Sequence, residues 1–305
     1  METLIKTRTL PKELRLLRLL AARMALPEKD HKRYVNLEKG YEGEILFDAR
    51  AEVLAKDRLI LNDLLLETNN TSFQMDSAFI SQGTISLYEV KNYEGEYLYD
   101  PESDKFTSQY ANNITNPLHQ ADRCDILLRQ LLHSKGYNVP IVYKVIFINP
   151  EFTLYLPKPH KSIILPTQVN PYIRRLAATP AKLTPNDKKL ANLLVSLHKE
   201  DDPYPRLPSY DFSQLKKGVG CCSCLSLDVI VNDRYCICLK CGRKEGLDEA
   251  VLRSVEEFRL LFPHIKITTN VVYEWCGGGI HKRKINRVLR EKYTMAGYGR
   301  YSFYV

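Results

Sequence analysis

Asp76 and Glu89 lie on either side of the dipeptide Gln82-Gly83, in two segments whose apolar and polar residues alternate as in a β-hairpin. If this dipeptide forms a two-residue turn, Ser81 lies opposite Thr84, and counting outward places Asp76 directly opposite Glu89. Directly opposed side chains have Cβ atoms about 4.5–5.5 Å apart, so two carboxylates there repel one another unless a cation or a shared proton neutralises them. The spacing therefore predicts a site for a hard divalent cation.

The chemistry that such a site serves is the cleavage of a phosphodiester. Mg²⁺ prefers oxygen ligands, and it takes one or two carboxylates from a protein while water and a phosphate complete its shell. The ion can generate hydroxide from bound water and stabilise charge on the phosphate. Lys91, two residues beyond Glu89, is placed to lower the pKa of that water or to hold it in line, and Glu44 on the preceding helix supplies a third carboxylate. The spacing alone also fits a charged hairpin face without catalytic function, and a three-residue turn would shift the register.

The elements that must position these side chains follow a mixed α/β pattern. A helical pattern runs from Gly40 to about Lys56, with Glu44 near its start, and Pro117 opens a second helix with apolar residues at helical spacing. Apolar and β-branched runs predict strands at residues 59–67, 72–80, 84–91 and 141–148, the last of them a buried strand. Residues 92–116 are interpreted as a polar excursion between these elements. The order helix, hairpin, helix, strand predicts the α/β class.

Four short motifs contain the candidate residues and follow one another along the chain. They are Gly40-Tyr41-Glu42-Gly43-Glu44, Gln74-Met75-Asp76, Glu89-Val90-Lys91-Asn92 and Asn116-Pro117-Leu118-His119-Gln120. Together they resemble the nuclease-related domain called NERD, a branch of the PD-(D/E)XK nuclease superfamily with a restriction-endonuclease-like core. The resemblance covers roughly a third of the chain, and its motifs are individually short but jointly specific. One departure is Ser77, where many members of the family have histidine after the aspartate.

The resemblance implies a restriction-endonuclease-like mixed sheet flanked by helices, and a metal-dependent nuclease that hydrolyses phosphodiester bonds, with DNA expected ahead of RNA. It implies that Asp76 and Glu89, with Glu44 from the first helix, hold Mg²⁺ (or Mn²⁺). It also implies that Lys91 positions or activates water. Gln120, on the helix after the sheet, would orient the substrate or the site.

A cluster of cysteines predicts a second metal site. Six of the eight cysteines lie between Cys221 and Cys241, which indicates local metal binding in a reducing compartment rather than a secreted disulfide framework. Four thiolates in two close pairs can hold a tetrahedral Zn²⁺, so the pattern predicts a structural zinc ribbon, with a redox pair as the alternative. Cys222 and Cys236 leave the ligand set open, because either could replace a neighbour. The two C-x-x-C knuckles are Cys221 with Cys224 and Cys238 with Cys241, and the cysteines expected in the core are Cys124 and Cys276.

The C-terminal residues predict a small basic module. Helical patterns cover residues 247–262, then 269 to the glycines at 277–279, then residue 280 onward, which is typical of a helix-turn-helix-like module. Residues 293–305 are typical of a terminal hairpin that could serve as a wing. The alternative is an ordinary solvated helix face that closes the zinc module. The side chains expected to contact a nucleic-acid backbone are Lys282, Arg283, Lys284, Arg287 and Arg290, with Tyr298, Arg300 and Tyr301 nearby.

These patterns divide the chain into five segments. An amphipathic helical segment carries Leu14, Leu17 and Leu20 on one face, which predicts a docking helix rather than membrane contact. The segments are that helical segment at 1–36, a NERD nuclease-like domain at 37–165, a helical connector with a Pro-rich linker at 166–217, the zinc ribbon at 218–246 and the helix-turn-helix- or winged-helix-like module at 247–305.

The composition suits a cytoplasmic protein with a polyanionic partner. Lys and Arg outnumber Asp and Glu by 44 to 36, a net charge of +8, which fits nucleic acid and equally a merely basic cytosolic protein. No apolar run reaches the roughly 20 residues that cross a bilayer, so we expect no membrane contact. The patterns predict no particular oligomeric state. They also leave two other classes open, a non-catalytic nucleic-acid-binding protein that retains the nuclease fold and a zinc-stabilised scaffold for protein partners.

Overall fold

A computed structural model of the protein describes residues 3–109, 113–156, 158–199 and 205–305. The chain divides into two compact units. The first unit comprises Met1–Pro11 and Asn36–Tyr204, and the second comprises Lys12–Val35 and Pro205–Val305. Residues 200–204 of the predicted Pro-rich linker lie outside the described residues. Among the described residues, no helix combines the length and the apolar character that crossing a membrane requires.

The helices are α1 (Lys12–Arg23), α2 (Glu28–Ala51), α3 (Pro117–Ser134), α4 (Pro166–Ala178), α5 (Pro185–Ser196), α6 (Leu247–Leu261), α7 (Thr269–Trp275) and α8 (Lys282–Lys292). The strands of the first unit are β1 (Leu4–Lys6), β2 (Leu59–Thr68), β3 (Thr71–Ser81), β4 (Thr84–Lys91), β5 (Gly95–Asp100), β6 (Lys105–Ser108), β7 (Asn113–Ile114), β8 (Ile141–Phe147), β9 (Phe152–Tyr155) and β10 (Ile163–Ile164). The strands of the second unit are β11 (Val229–Val231), β12 (Tyr235–Cys238), β13 (Lys244–Gly246), β14 (Met295–Ala296) and β15 (Phe303–Tyr304).

The main sheet of the first unit has six strands among the described residues, in the order β1-β2-β3-β4-β8-β10. β2, β3 and β4 form an antiparallel meander, and β8 joins β4 in parallel after a crossover through α3. Apolar side chains cover both faces of this sheet. Leu128 of α3 and Leu194 of α5 pack on one face, and Phe47 of α2 and Val169 of α4 pack on the other. The predicted mixed α/β class is confirmed, and β8 is buried at Ile141 and at residues 145–147, whereas Val142 is exposed.

A second sheet of the first unit has the order β7-β6-β5-β9. Residues 92–116, interpreted from the sequence as a polar excursion between the main elements, contain the strands β5, β6 and β7. Tyr99 and Phe106 from these strands pack in one core with Phe147 and Phe152, whose rings stack with their centroids 4.1 Å apart. Sequence periodicity missed these strands because they have only two to six residues each, and because the parallel partner of β5 is the distant strand β9.

The helix that carries Glu44 begins at Glu28, well before the predicted start at Gly40, so that prediction is wrong. A glycine inside a helix costs about 0.5–1 kcal/mol relative to alanine. A helix of 24 residues tolerates Gly40 and Gly43, because Phe47 and Ala51 of its apolar face pack in the core of the first unit. Glu44 consequently lies in the interior of α2 and not in its first turn.

Gly43 allows α2 to lie close to the end of β4. A Cβ atom added to Gly43 would lie 2.5 Å from Cβ of Asn92 and 3.2 Å from Cγ2 of Ile148. We expect Gly43→Ala to lower the free energy of unfolding by about 1–3 kcal/mol, because overpacking displaces its neighbours. Gly40→Ala is the matched control, since no described atom lies within 4 Å of its added Cβ, and it should raise the free energy of unfolding by about 0.5–1 kcal/mol. Urea titrations measure both values, and effects of the same sign would contradict the close approach.

The core of the second unit surrounds Trp275. Leu20 of the predicted apolar stripe and Leu16 of α1 pack into this core together with residues of α6, and Leu14 and Leu17 of the stripe are also buried. At the end of α1, Cζ of Arg23 lies 3.8 Å from the ring centroid of Trp275, and its Nη2 donates to Glu257 at 3.2 Å. Leu215, from the stretch predicted as a linker, is buried in the same core.

The three C-terminal helices follow the predicted order. The side chain of Thr268 caps α7 by accepting from the Val271 N–H. His281 caps α8 by accepting from the Arg283 N–H at 3.2 Å. β14 and β15 then pair as an antiparallel hairpin, as predicted for the tail.

Candidate active site

The hairpin of β3 and β4 positions Asp76 and Glu89. Both residues of the Gln82-Gly83 turn have positive φ angles, 51° and 72°, as a type I′ turn requires. The ladder starts at the pair Ser81–Thr84 and continues to Ser77–Tyr88. The predicted two-residue turn and its register are confirmed, and the next position outward is that of Asp76 and Glu89.

The backbone of β3 departs from both of its ladders at Asp76. The ladder between β2 and β3 skips Asp63 and Asp76, and the ladder between β3 and β4 ends one residue short of Asp76. The Val90 N–H donates to Oδ2 of Asp76 at 2.8 Å. Asp63 has a φ angle of 56°, which is uncommon for a residue other than glycine. One level of the sheet therefore has an acidic residue on each of three neighbouring strands, Asp63 on β2, Asp76 on β3 and Glu89 on β4.

The side chains of Asp76 and Glu89 are buried at this level, that of Asp63 is half-buried, and their negative charges repel one another. Asp76 and Glu89 are 9% and 5% exposed. Burial, together with the charge of Asp76, raises the pKa of Glu89 to about 8. Burial and the same charge raise the pKa of Glu44 to about 8, and burial raises the pKa of Asp76 itself. A cation held among these groups relieves the repulsion.

Lys91 lies beside the carboxylates as a buried cation. Its Nζ donates to Oε1 of Glu89 at 2.6 Å and to Oε1 of Gln120 at 2.9 Å. Although burial acts in the opposite direction, the charges of Glu89 and Asp76 raise the pKa of Lys91. Lys91 is therefore a hydrogen-bond donor at neutral pH and cannot act there as a base. The structure thus brings together Lys91, Glu89 and Gln120, which the motifs place far apart in the sequence.

The start of α3 positions Gln120. The Asn116 side chain accepts from the Leu118 N–H at 3.0 Å, and Pro117 occupies the first turn, where its missing N–H costs nothing. Asn116 also donates to Oδ1 of Asp104, in the turn between β5 and β6, at 2.7 Å. The Asn-Pro motif therefore caps the helix and fixes it to the second sheet of the first unit.

Sequence reasoning missed Arg8 and Asp48. Arg8 lies just after β1, and its side chain is 2% exposed. Its Nη1 donates to Oε2 of Glu44 at 2.6 Å, its Nε to Oδ2 of Asp48 at 2.8 Å, and its Nη2 to the carbonyl oxygen of Asp76 at 2.7 Å. Asp48 could have been found, because it follows Glu44 by one helical turn. No sequence pattern points to Arg8, a single arginine far from the other residues along the chain.

The residues of this site fit a hydrated Mg²⁺ or Mn²⁺. The ligand atoms that the acidic residues offer to a metal are carboxylate oxygens, which these hard ions prefer over nitrogen or sulfur. The ligand oxygens of Glu44, Asp76 and Glu89 do not gather as tightly as a closed cage would require, since Arg8 binds Glu44 and Lys91 binds Glu89. An ion that keeps several waters and takes only one or two protein carboxylates needs no such cage.

A closed metal-binding geometry occurs at the cysteines. The Sγ atoms of Cys221, Cys224, Cys238 and Cys241 all lie within 4.8 Å of one another, and they form the one such group of His, Cys, Asp or Glu side chains among the described residues. Cys221 and Cys241 are 3.5 Å apart, and Cys224 and Cys238 are 3.6 Å apart. A tetrahedral Zn²⁺ with Zn–S bonds of about 2.3 Å separates its sulfurs by about 3.8 Å. The cluster is therefore consistent with a zinc-ribbon-like module.

The remaining cysteines lie outside this group. Cys236 points into the core of the second unit, where burial raises its pKa to about 11, and Cys222 is exposed. Cys124 and Cys276 are buried, as predicted for core residues. Gly242, after the last cysteine of the cluster, has a φ angle of 71°, the left-handed conformation that glycine favours.

The basic side chains of α8 are only partly free of partners. Lys284 pairs with Asp248, and Arg287 pairs with the same residue at 2.6 Å. Lys282 donates to Oδ1 of Asn270 at 2.8 Å. Arg283 and Arg290 are exposed, and neither has an acidic partner in the part of the chain that the structure describes. Tyr298 and Tyr301, in the loop of the terminal hairpin, are 94% and 70% exposed, whereas the side chain of Arg300 lies outside the described residues.

Comparison with known families agrees with the motifs. The model of the nuclease-related domain family, NERD, matches residues 39–148. The chain therefore carries a nuclease-related domain, and the resemblance stated from its motifs is confirmed. Such a domain supports a nuclease-like enzyme with a nucleic-acid substrate in general. No protein of curated function and no solved structure matches the chain. The matched stretch contains Glu44, Asp76, Glu89, Lys91 and Gln120, whereas Arg8 precedes it.

Proposed function

We propose that the protein is a Mg²⁺- or Mn²⁺-dependent nuclease that hydrolyses phosphodiester bonds in DNA or RNA, with DNA as the first expectation. The proposal rests on one observation. Asp76 and Glu89 lie side by side on neighbouring strands, and the positively charged amine of Lys91 lies beside them. Buried carboxylates with raised pKa values are costly to a fold and are characteristic of functional sites. Their place inside a nuclease-related domain favours catalysis over a purely structural role.

In this proposal Asp76 and Glu89 hold the ion, and Glu44 contributes negative charge from α2. A divalent ion bound there would polarise the phosphate and lower the pKa of a water molecule. Lys91 keeps a fixed positive charge near the reacting phosphate, where it can hold the attacking water through a hydrogen bond and stabilise negative charge as it develops. Gln120 accepts from Lys91 and so restricts the position of that amine.

Cleavage assays with zinc-loaded protein test this function. Single-stranded DNA, duplex DNA and RNA are each incubated with protein in buffer without divalent ions, with Mg²⁺ and with Mn²⁺. A strong chelator is avoided because it would also extract zinc from the cysteine cluster. Cleavage that requires the added ion and is absent from Asp76→Asn, purified in the same way, supports the enzyme. Glu67→Gln is the matched carboxylate control, since Glu67 lies at the far end of β2 in a pair with Lys199.

The other outcomes distinguish the remaining classes. Binding of nucleic acid without cleavage under any ion would contradict the enzyme and favour a binding protein that retains the nuclease fold. Neither binding nor cleavage would favour a protein-interaction scaffold. Cleavage that persists in Asp76→Asn would assign the activity to a contaminant.

The basic face of α8 is proposed as a nucleic-acid-binding surface. It comprises Lys282, Arg283, Lys284, Arg287 and Arg290. We expect Arg283→Ala and Arg290→Ala each to weaken binding equally across DNA sequences and to reduce the slope of log affinity against log salt by about 1, because each removes one phosphate contact. Arg259→Ala is the control, since Arg259 is an exposed arginine of α6 that pairs with Glu256. Fluorescence anisotropy at several salt concentrations measures the slopes, and an unchanged slope in both variants would contradict the surface.

A further inference from the structure

The charges around Asp76 do not balance within the chain. Five carboxylates act on one another at the site, against three basic side chains. The acidic residues are Glu44, Asp48, Asp63, Asp76 and Glu89, and the basic residues are Lys6, Arg8 and Lys91. With all five carboxylates ionised, two negative charges remain in excess, and one divalent ion would neutralise them.

The guanidinium of Arg8 already occupies the space between α2 and the break in β3. It donates to Glu44, to both carboxylate oxygens of Asp48 and to the carbonyl oxygen of Asp76, at distances from 2.6 to 3.1 Å. Its side chain is 2% exposed. A guanidinium cannot lose its proton in a protein, and it presents its donors in a rigid fork. The carbonyl of Asp76 can accept this bond because the ladder with β2 skips that residue.

We propose that Arg8 is the fixed cation of the nuclease site and takes the place between Glu44, Asp48 and Asp76 that a second divalent ion would otherwise fill. The site therefore holds one divalent ion per chain, bound on the side of Asp76 and Glu89. Arg8 is a positioning residue, since it acts on the reaction through Glu44 and the backbone of Asp76. The inference rests on the proposed function, and it makes the residues before α1, which precede the family match, part of the catalytic unit.

The number of bound Mn²⁺ ions tests the inference without a cleavage assay. The full chain is loaded with Zn²⁺ at its cysteines, which prefer zinc to manganese, and Mn²⁺ is then titrated and counted by electron paramagnetic resonance. We expect about one bound Mn²⁺ in the natural protein and about two in Arg8→Met. Removal of the guanidinium frees the carboxylates of Glu44 and Asp48 to bind a second ion. Arg8→Lys retains a positive charge and should hold about one ion.

Arg58→Met is the matched control for loss of a buried arginine. Arg58 belongs to the same unit, pairs with Asp57 and donates to the carbonyls of Leu176 and Thr179, and none of these partners is a residue of the acidic site. It should leave the Mn²⁺ count unchanged.

The counts separate failure of this inference from failure of the proposed function. Two coupled Mn²⁺ ions in the natural protein, or still one in folded Arg8→Met, would overturn the role of Arg8 and leave the nuclease standing. If Arg8→Met does not fold, the number of Mn²⁺ ions bound by the natural protein still tests the inference, because two ions would overturn it. One bound ion without cleavage of any substrate would contradict the proposed function alone, whereas no bound ion would overturn both.

Discussion

Replacing Lys91 with methionine should lower kcat for phosphodiester cleavage by about 10²–10³-fold, which corresponds to about 2.7–4 kcal/mol of transition-state stabilisation. Methionine preserves much of the length of the side chain but removes its charge and its donors. The amine of Lys91 is held 2.6 Å from Glu89 and 2.9 Å from Gln120, so the positive charge is already in place before the phosphate becomes more negative. Such preorganised charge in a buried site is worth far more than the same charge in water.

The binding of Mn²⁺ distinguishes this role from a structural one. Lys91 competes with a metal ion for Glu89, so Lys91→Met should bind Mn²⁺ at least as tightly as the natural protein while cleaving slowly. Lys199→Met is the matched control, because Lys199 forms an exposed pair with Glu67 in the same unit. Single-turnover kinetics and Mn²⁺ titrations measure the two quantities. Undiminished cleavage, or loss of both Mn²⁺ binding and fold, would contradict the assignment.

Removal of zinc should unfold the module of β11, β12 and β13. These strands have three or four residues each and cannot form a large core, so metal binding supplies folding energy, typically about 10–16 kcal/mol for a four-ligand structural site at neutral pH. Cys238→Ser should lose stoichiometric zinc, because a serine hydroxyl is a poor zinc ligand.

Elemental analysis and limited proteolysis check the zinc prediction. The natural protein should contain about one zinc per chain, and proteolysis of Cys238→Ser should cut first within residues 218–246. Cys222→Ser is the matched control, since Cys222 is exposed and lies outside the group of four sulfurs, and it should retain zinc and resistance to protease. A zinc-free protein that remains resistant in this region would contradict the zinc ribbon.

Local rules predicted the features that depend on neighbours in the sequence. The Gln82-Gly83 turn determines the register of its hairpin, because a two-residue loop leaves no freedom in the pairing. The two C-x-x-C knuckles predicted the four sulfurs that meet, since each knuckle brings its own pair together.

Features that depend on distant partners could not be predicted in this way. Arg8 reaches Glu44 only because β1 pairs in parallel with β2, and nothing in either short segment specifies that pairing. The strands at residues 95–114 are stabilised by the aromatic core around Phe147 and Phe152, which lie beyond α3. An apolar stripe such as that of α1 shows that something covers it, but it does not identify the partner.

The second unit combines residues 12–35 with residues 205–305, and this has a consequence for synthesis on the ribosome. The apolar face of α1 is made before the residues that cover Leu16 and Leu20. At about 5–20 residues added per second, translation of residues 36–204 takes on the order of ten to thirty seconds. During that interval the nascent chain carries an uncovered hydrophobic helix, which makes it a ready client for a chaperone near the exit tunnel.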